Sequence, residues 1–263
     1  MKILSIINQK GGVGKTTVSI HLGAKLAQLG YKVMCIDFDP QMNLSQGYKI
    51  EDDYPYTVSD FLNGTGNFQL KQKEENLFIM AGSLNLDSKI YERNLLKERL
   101  QQLDKVLNQQ NIQFDFVILD CQPQPLVDKK DEKNKSIPIL NEIALIASNH
   151  IIVPLGVDEY SIKGLDNFIP GILRIKKNYN TSLTIAGIFF NKVLSNERNF
   201  RRFYKLLENS GAKDFFIEDY IRKDVKIEEA VKEGKTIFQL APKSRAAKDF
   251  EKVCNQILKN INL

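Results

Sequence analysis

The sequence has few of the residues that build metal centres or covalent frameworks. Its three cysteines, Cys35, Cys121 and Cys254, lie far apart, with no metal-ligand spacing and no obvious pairing. That argues against a disulfide-stapled scaffold and suits a reducing compartment, where buried thiols serve as small hydrophobes. The two histidines, His21 and His150, share no motif and read as structural. No apolar run approaches the roughly 20 residues that span a bilayer. The apolar start, Met1 to Ile7, is ended by Asn8, Gln9 and Lys10, too early for a secretory leader. There is no internal repeat and no low-complexity tract. A cytoplasmic protein is expected.

What remains is an ordinary globular composition, 43% hydrophobic and 26% charged over 263 residues. One α/β domain can run this long, so a single domain over 1–263 is expected. The formal net charge of +5 is uneven. Residues 1–150 hold 17 Lys+Arg against 18 Asp+Glu, and residues 151–263 hold 20 against 14. The basic surplus therefore sits in the C-terminal part, where it reads either as solvated surface or as a surface for an acidic partner.

The most informative stretch is Lys10-Gly11-Gly12-Val13-Gly14-Lys15-Thr16-Thr17. It follows a short apolar run that reads as a buried strand. It precedes Val18 to Leu29, where apolar residues recur at helical spacing. Strand, glycine loop and helix in that order are the setting of a phosphate-binding loop. Glycines let successive backbone N–H groups turn inward, and the helix N-terminus adds its dipole. Lys15 suits the β- and γ-phosphates, and the Thr16 hydroxyl suits Mg²⁺. The general pattern begins with glycine, and here Lys10 stands in that place. This is the deviant Walker A form, far more specific than the general one.

Asn8 to Thr17 resembles the ParA/Soj/MinD family of ATPases, most of all its ParA/Soj branch. The resemblance implies that Lys10 reaches across a dimer interface to the partner's nucleotide, with two ATP molecules sandwiched between two subunits. Chemistry supports such a role, since a second fixed cation offsets charge that develops in phosphoryl transfer. Lys10, Gly11, Gly12, Val13, Gly14, Lys15, Thr16 and Thr17 are then nucleotide-binding.

Further motifs extend the match along nearly the whole chain. Lys32 to Asp37 reads as a second strand, ending in Asp37-Phe38-Asp39-Pro40-Gln41. By resemblance Asp39 positions the attacking water and Asp37 supports a switch loop. Val58, Phe61 and Leu62 suggest a short helix ending at Asn63-Gly64, and Leu77 to Met80 a strand. Leu84 to Gln110 reads as one helix. Phe114 to Asp120 is a buried strand that fits Walker B, with Asp120 holding Mg²⁺ beside Thr16. Relatives continue with a small residue, two prolines and a serine. This chain has Cys121-Gln122-Pro123-Gln124-Pro125 and a charged connection, 126–136, about a dozen residues longer than expected. Such an insertion reads as solvated surface.

Ile137 to Ser148 reads as a helix, Ile151 to Leu155 as a strand, Glu159 onward as a helix, and Leu183 to Phe190 as a strand. The resemblance places Asn191 against the adenine ring. Asn196 to Asn209 reads as a basic helix, Phe215 to Ile221 as a last strand, and Gly234-Lys235-Thr236-Ile237 matches the C-terminal family motif. Arg222 stands where relatives usually carry proline beside the adenine pocket, so it is counted with the nucleotide contacts. The expected fold is α/β: a doubly wound, mostly parallel sheet flanked by helices. The glycine loop begins too early to leave room for an N-terminal helix-turn-helix domain.

The resemblance implies a short ParA-type partition ATPase with ATP and Mg²⁺ as cofactors. Its ATP-bound homodimer would bind DNA without sequence preference on the nucleoid. A ParB-like centromere-binding protein would stimulate an otherwise slow hydrolysis and release it. Candidate DNA contacts are Lys192, Arg198, Arg201, Arg202, Lys223, Lys226, Lys243 and Arg245. The alternative is a MinD-like membrane-cycling ATPase. Phe250, Val253, Cys254, Ile257, Leu258 and Ile261 do form one apolar face, and burial against the sheet explains that face equally well. No stable membrane association is expected. A metal-cluster reductase would need a cysteine pair at the dimer interface, and only Cys121 lies near a switch.

Overall fold

The structure is a computed structural model. It describes residues 1–194, 197–208 and 212–263, with the backbone alone for 197–199 and 208. The strands are β1 (Lys2–Ile6), β2 (Val33–Phe38), β3 (Lys71–Glu74), β4 (Leu77–Met80), β5 (Phe116–Cys121), a two-residue pair β6 (Lys129–Lys130) and β7 (Ser136–Ile137), β8 (His150–Leu155) and β9 (Thr184–Phe190). Among the described residues the main sheet has seven strands, in the order β3-β4-β2-β5-β1-β8-β9. All neighbours are parallel except β3 and β4. The central strands are apolar runs buried on both faces, as a parallel sheet covered by helices requires.

The helices are α1 (Lys15–Gln28), α2 (Asn43–Gly47), α3 (Val58–Asn63), α4 (Leu95–Gln109), α5 (Leu140–Ala147), α6 (Glu159–Asn178), α7 (Glu197–Glu208), α8 (Val225–Lys232), α9 (Ile237–Leu240) and α10 (Arg245–Asn260). They divide between two cores. Residues of α1, α2, α8, α9 and α10 pack with Leu4, Ile6, Cys35 and Ile118 on one face. Residues of α3 to α7 pack with Ile3, Ile36, Val117 and Leu119 on the other. The alternation within each strand assigns every second residue to the α1 face. By that parity Asp37 and Asp120 also point there. The apolar face of α10, Phe250 to Ile261, is buried in the α1-side core.

Several elements differ from the sequence reading. The helix expected over 84–110 begins only at Leu95. Before it, Leu86 and Ser88 donate backbone hydrogen bonds to Ser83 and Asn85 in successive turns. The Ser83 and Ser88 hydroxyls close the same turns, and such local bonds compete with a helix. Leu84 and Ile90, both within the span expected to be helical, are exposed. Likewise α5 starts at Leu140 rather than Ile137, because Pro138 disfavours helical backbone at the residue before it.

The last strand, expected over 215–221, does not form. Lys213–Phe215 is a 3₁₀ turn. Beyond it Ile217 and Ile221 donate to Ile188 and Phe190, four residues apart, with no continuous ladder between them. The antiparallel edge strand β3 had no apolar alternation to announce it. The ends of the basic helix, Asn196 and Asn209, lie outside the described residues. The charged connection after β5 folds back as β6 and β7, paired antiparallel. Asp131 closes its turn, with Oδ1 accepting from the N–H groups of Lys133 and Lys135 at 2.9 and 2.8 Å.

Candidate functional site

The sheet brings three strand ends together. Asp120 on β5 is opposite Ile6 of β1 and opposite Asp37 of β2. The glycine loop leaves β1 and Asp39 leaves β2, so both overhang Asp120 at the carboxyl edge, where ligands bind in this class of sheet. Gly12 and Gly14 take positive φ, 76° and 88°. Gly14 caps α1, and a Cβ there would lie 2.3 Å from Asn191 Nδ2, so two independent constraints demand glycine. The loop, Lys15, Thr16, Thr17, Asp39, Pro123, Lys192 and Lys232 line a groove of about 470 Å³.

Each acidic group has a distinct environment. Asp37 is fully buried and its Oδ2 accepts from both the N–H and the hydroxyl of Ser45, at 2.8 and 2.7 Å. It thereby fixes the start of α2. Burial and the facing Asp120 push its carboxyl up to about 8. Asp120 accepts from the Ser19 hydroxyl at 2.8 Å. Burial raises it to about 6, against the Thr16 and Ser19 hydroxyls and Lys15. Asp37 Oδ1 and Asp120 Oδ2 are buried without a protein partner. Asp39 is raised by burial, opposed by its bond from the Gln41 N–H. Lys15 is lowered by burial, opposed by Asp120, Cys121 and Asp39.

This donor set fits a small hard cation. Thr16 and the unpartnered Asp120 oxygen offer oxygen ligands only, and a divalent ion would stabilise the charge that burial disfavours on Asp120. The loop also fits phosphates, with glycine at the two left-handed positions and Lys15 alongside.

The predicted residues divide into groups. Lys15, Thr16 and Asp39 line the groove, and Asp120 is buried beside Thr16 and Lys15. Lys10 does not point into it: its ammonium lies 2.7 Å from both oxygens of Asp158 and 3.3 Å from the Ser161 hydroxyl. Asp158 also caps α6, accepting from the Ser161 N–H. Asn191 is buried, with its amide donating to the Val13 carbonyl and its oxygen accepting from the Lys192 N–H. Of the basic candidates, Lys192 sits on the glycine loop, donating to Gly12 O at 3.0 Å. It lines a second cavity of about 260 Å³ together with Arg222, Lys223, Ile227 and Glu228. Arg201 and Arg202 are exposed on α7. Lys226, Lys243 and Arg245 are exposed near the starts of α8 and α10. The Arg198 side chain lies outside the described residues.

Sequence reasoning missed Asp158, Ser161, Ser19 and Asp249. Asp249 carried a signal: it falls on the apolar face of α10, where a lone carboxylate implies a buried partner. That partner is Arg222. The three cysteines are free and buried, and no cluster of metal-ligating side chains is found among the described residues.

Comparison with known proteins agrees with this geometry. Residues 1–185 match a family model described as an AAA domain. The chromosome-partitioning ATPase Soj of Treponema pallidum is 31% identical over 260 residues, covering 98% of this chain and 97% of that protein. The sporulation initiation inhibitor protein Soj of Bacillus subtilis is 30% identical over 265 residues, covering 98% and 99%. Cobyrinic acid a,c-diamide synthase of Mycobacterium smegmatis, solved with a bound ATP analogue and magnesium, shares the fold with a TM-score of 0.77 at 22% identity, covering 100% of this chain and 96% of that one. With its deviant Walker A loop, its doubly wound sheet and a Soj relative matched almost end to end, this chain belongs to the ParA/Soj/MinD family of ATPases.

Proposed function

We propose that this protein is a DNA-partition ATPase that binds ATP and Mg²⁺ in the groove over α1. The observation that carries this reading is the convergence of Lys15, Thr16, Asp39 and the unpartnered Asp120 oxygen beneath one glycine loop. Lys15 and the loop N–H groups hold the β- and γ-phosphates. Thr16 and Asp120 hold Mg²⁺, which would neutralise charge on the phosphates when bound. Asp39 orients the attacking water. Lys10 exchanges Asp158 for the nucleotide of a second copy, so that ATP favours a dimer through contacts that ADP lacks. A chromosome-partitioning ATPase matches 98% of this chain, which supports carrying the role over.

In this reading the chain works as one domain, in the cytoplasm and on the nucleoid. The dimer binds DNA through phosphate contacts of the basic C-terminal part. A centromere-binding protein stimulates hydrolysis and releases it. The face of α10 that a membrane-cycling protein would insert is instead part of the core.

The test is binding to a random-sequence duplex with ATP, with ADP and without nucleotide, over a salt series. Binding only with ATP, falling steeply with salt, is the expected result. No binding in any state would overturn the DNA step.

A further inference from the structure

Arg222 is clamped. Its Nε donates to Asp249 Oδ2 at 2.7 Å, a terminal nitrogen donates to Oδ1, and its own backbone N–H reaches Oδ2 at 3.2 Å. Asp249 is buried on the inner face of α10. One carboxylate thus takes three hydrogen bonds from one residue, and the guanidinium plane has a fixed orientation. A charge pair this well ordered serves more than charge balance, because burying the carboxylate carries a desolvation cost.

Arg222 lines the 260 Å³ cavity. That cavity shares Thr17, Lys192, Val231 and Lys232 with the phosphate groove, so the two are continuous. Its size is just below the range of about 300–1,000 Å³ that holds drug-sized ligands. It therefore suits one base and its sugar. Ile227 and Val231 supply apolar wall, and Asp224 and Glu228 supply acceptors. Asn191, the other candidate for the base, already has its amide nitrogen and its oxygen bonded to Val13 and Lys192. Guanidinium planes stack on aromatic faces, whereas an ammonium has no plane to offer.

We propose that Arg222 is the platform on which the base of the bound nucleotide stacks, and that Asp249 is its positioning residue. This rests on the nucleotide reading above. It makes Arg222 a determinant of base affinity, independent of the triphosphate.

The experiment compares binding of Mg²⁺-ATP and of Mg²⁺-tripolyphosphate, the latter having no base, by calorimetry. The expected result is that R222K loses about fivefold in ATP affinity, the low end for one base stack, while tripolyphosphate affinity is unchanged. D249N should lose ATP affinity in the same selective way, by less. R222L/D249L leaves no buried unpaired charge, so it should fold even where a single truncation does not, and should match R222K. Unchanged ATP affinity in R222K and R222L/D249L overturns the proposal, as does an equal loss for both ligands, which would mark a structural role. If the unaltered protein binds neither ligand, the nucleotide reading itself fails. If it binds both equally well, only the base platform fails.

Discussion

Lys10 and Asp158 form an ion pair within one chain, with the ammonium 2.7 Å from each carboxylate oxygen. Burial works against the Asp158 charge, but Lys10 and Ser161 hold its carboxyl below the usual range. Both side chains are more than a third exposed. The pair is therefore solvent-screened and worth only about 0.2–1 kcal/mol. That is weak enough for a phosphate to displace.

Releasing Lys10 should ease pairing. Asp158→Asn keeps the cap of α6, because asparagine caps as well as aspartate. It is expected to lower the ATP concentration at half-dimerisation by about two- to fivefold. Lys10→Ala should abolish ATP-dependent dimerisation while leaving ATP binding to the monomer nearly intact. Light scattering after size exclusion, across an ATP series, reads both. An unchanged midpoint in the Asp158 variant would show that the ion pair does not restrain Lys10.

His21 should give the protein a measurable pH dependence. Its Nε2 accepts from the Ile237 N–H at 3.0 Å, so Nδ1 carries the proton and donates to the Thr17 carbonyl at 2.7 Å. The ring also stacks on Phe250, with centroids 4.3 Å apart. Burial lowers its pKa to about 4. The unfolded chain then binds a proton more readily than the folded one between about pH 4 and 6.5. Stability attributable to His21 is intact above pH 6.5 and declines as pH falls toward 4, by roughly 3 kcal/mol in all. Urea denaturation of wild type and His21→Gln at pH 7.5, 6 and 5 isolates the effect. The gap between the two proteins should narrow as pH falls.

These two pairs show what was legible in the sequence. The glycine loop could be read because its function depends on consecutive residues. Asp37, Asp39 and Asp120 could be read because each ends an apolar strand, and parallel strands share one carboxyl edge. Asp158 could not be assigned to Lys10, since 148 residues separate them and only the pairing of β8 with β1 brings the loops that follow these strands together. The start of α4 was misread because Leu86 and Ile90 keep helical spacing by chance, while serine and asparagine side chains close turns there. The length of the connection after β5 was visible, but its hairpin was not, because two-residue strands have no periodicity.

That hairpin is held by a buried charge. Glu142 lies on the first turn of α5, with Arg93 Nε at 2.6 Å and Arg174 at 3.4 Å. Arg93 also donates to the Ser136 hydroxyl at 2.5 Å, and that hydroxyl donates to Asp128. The neighbouring Asn141 donates to the carbonyls of Gln122 and Gln124, on either side of Pro123 in the groove. Arg93→Leu should cost about 3 kcal/mol, because it leaves Glu142 partly unpaired. Arg93→Leu with Glu142→Leu should recover most of that loss. In both variants trypsin should cut at Lys129 to Lys135 faster than in wild type. Recovered stability without faster cutting would show that the hairpin stands without Arg93.

The proposed DNA surface admits a quantitative test. Arg201 and Arg202 are exposed on α7, and neither lines the groove. Phosphate contacts release counterions, so each contact adds about −0.9 to the slope of log affinity against log salt. If both arginines touch phosphates, Arg201→Glu with Arg202→Glu should weaken ATP-dependent binding to a random duplex and reduce the slope by about 2. ATP binding to the monomer should be unaffected, because neither residue lines the nucleotide groove. A loss of affinity with an unchanged slope would mean that the new carboxylates repel DNA from nearby without any contact having been removed. An unchanged affinity would remove α7 from the surface and leave Lys226, Lys243 and Arg245, near the starts of α8 and α10, to carry it.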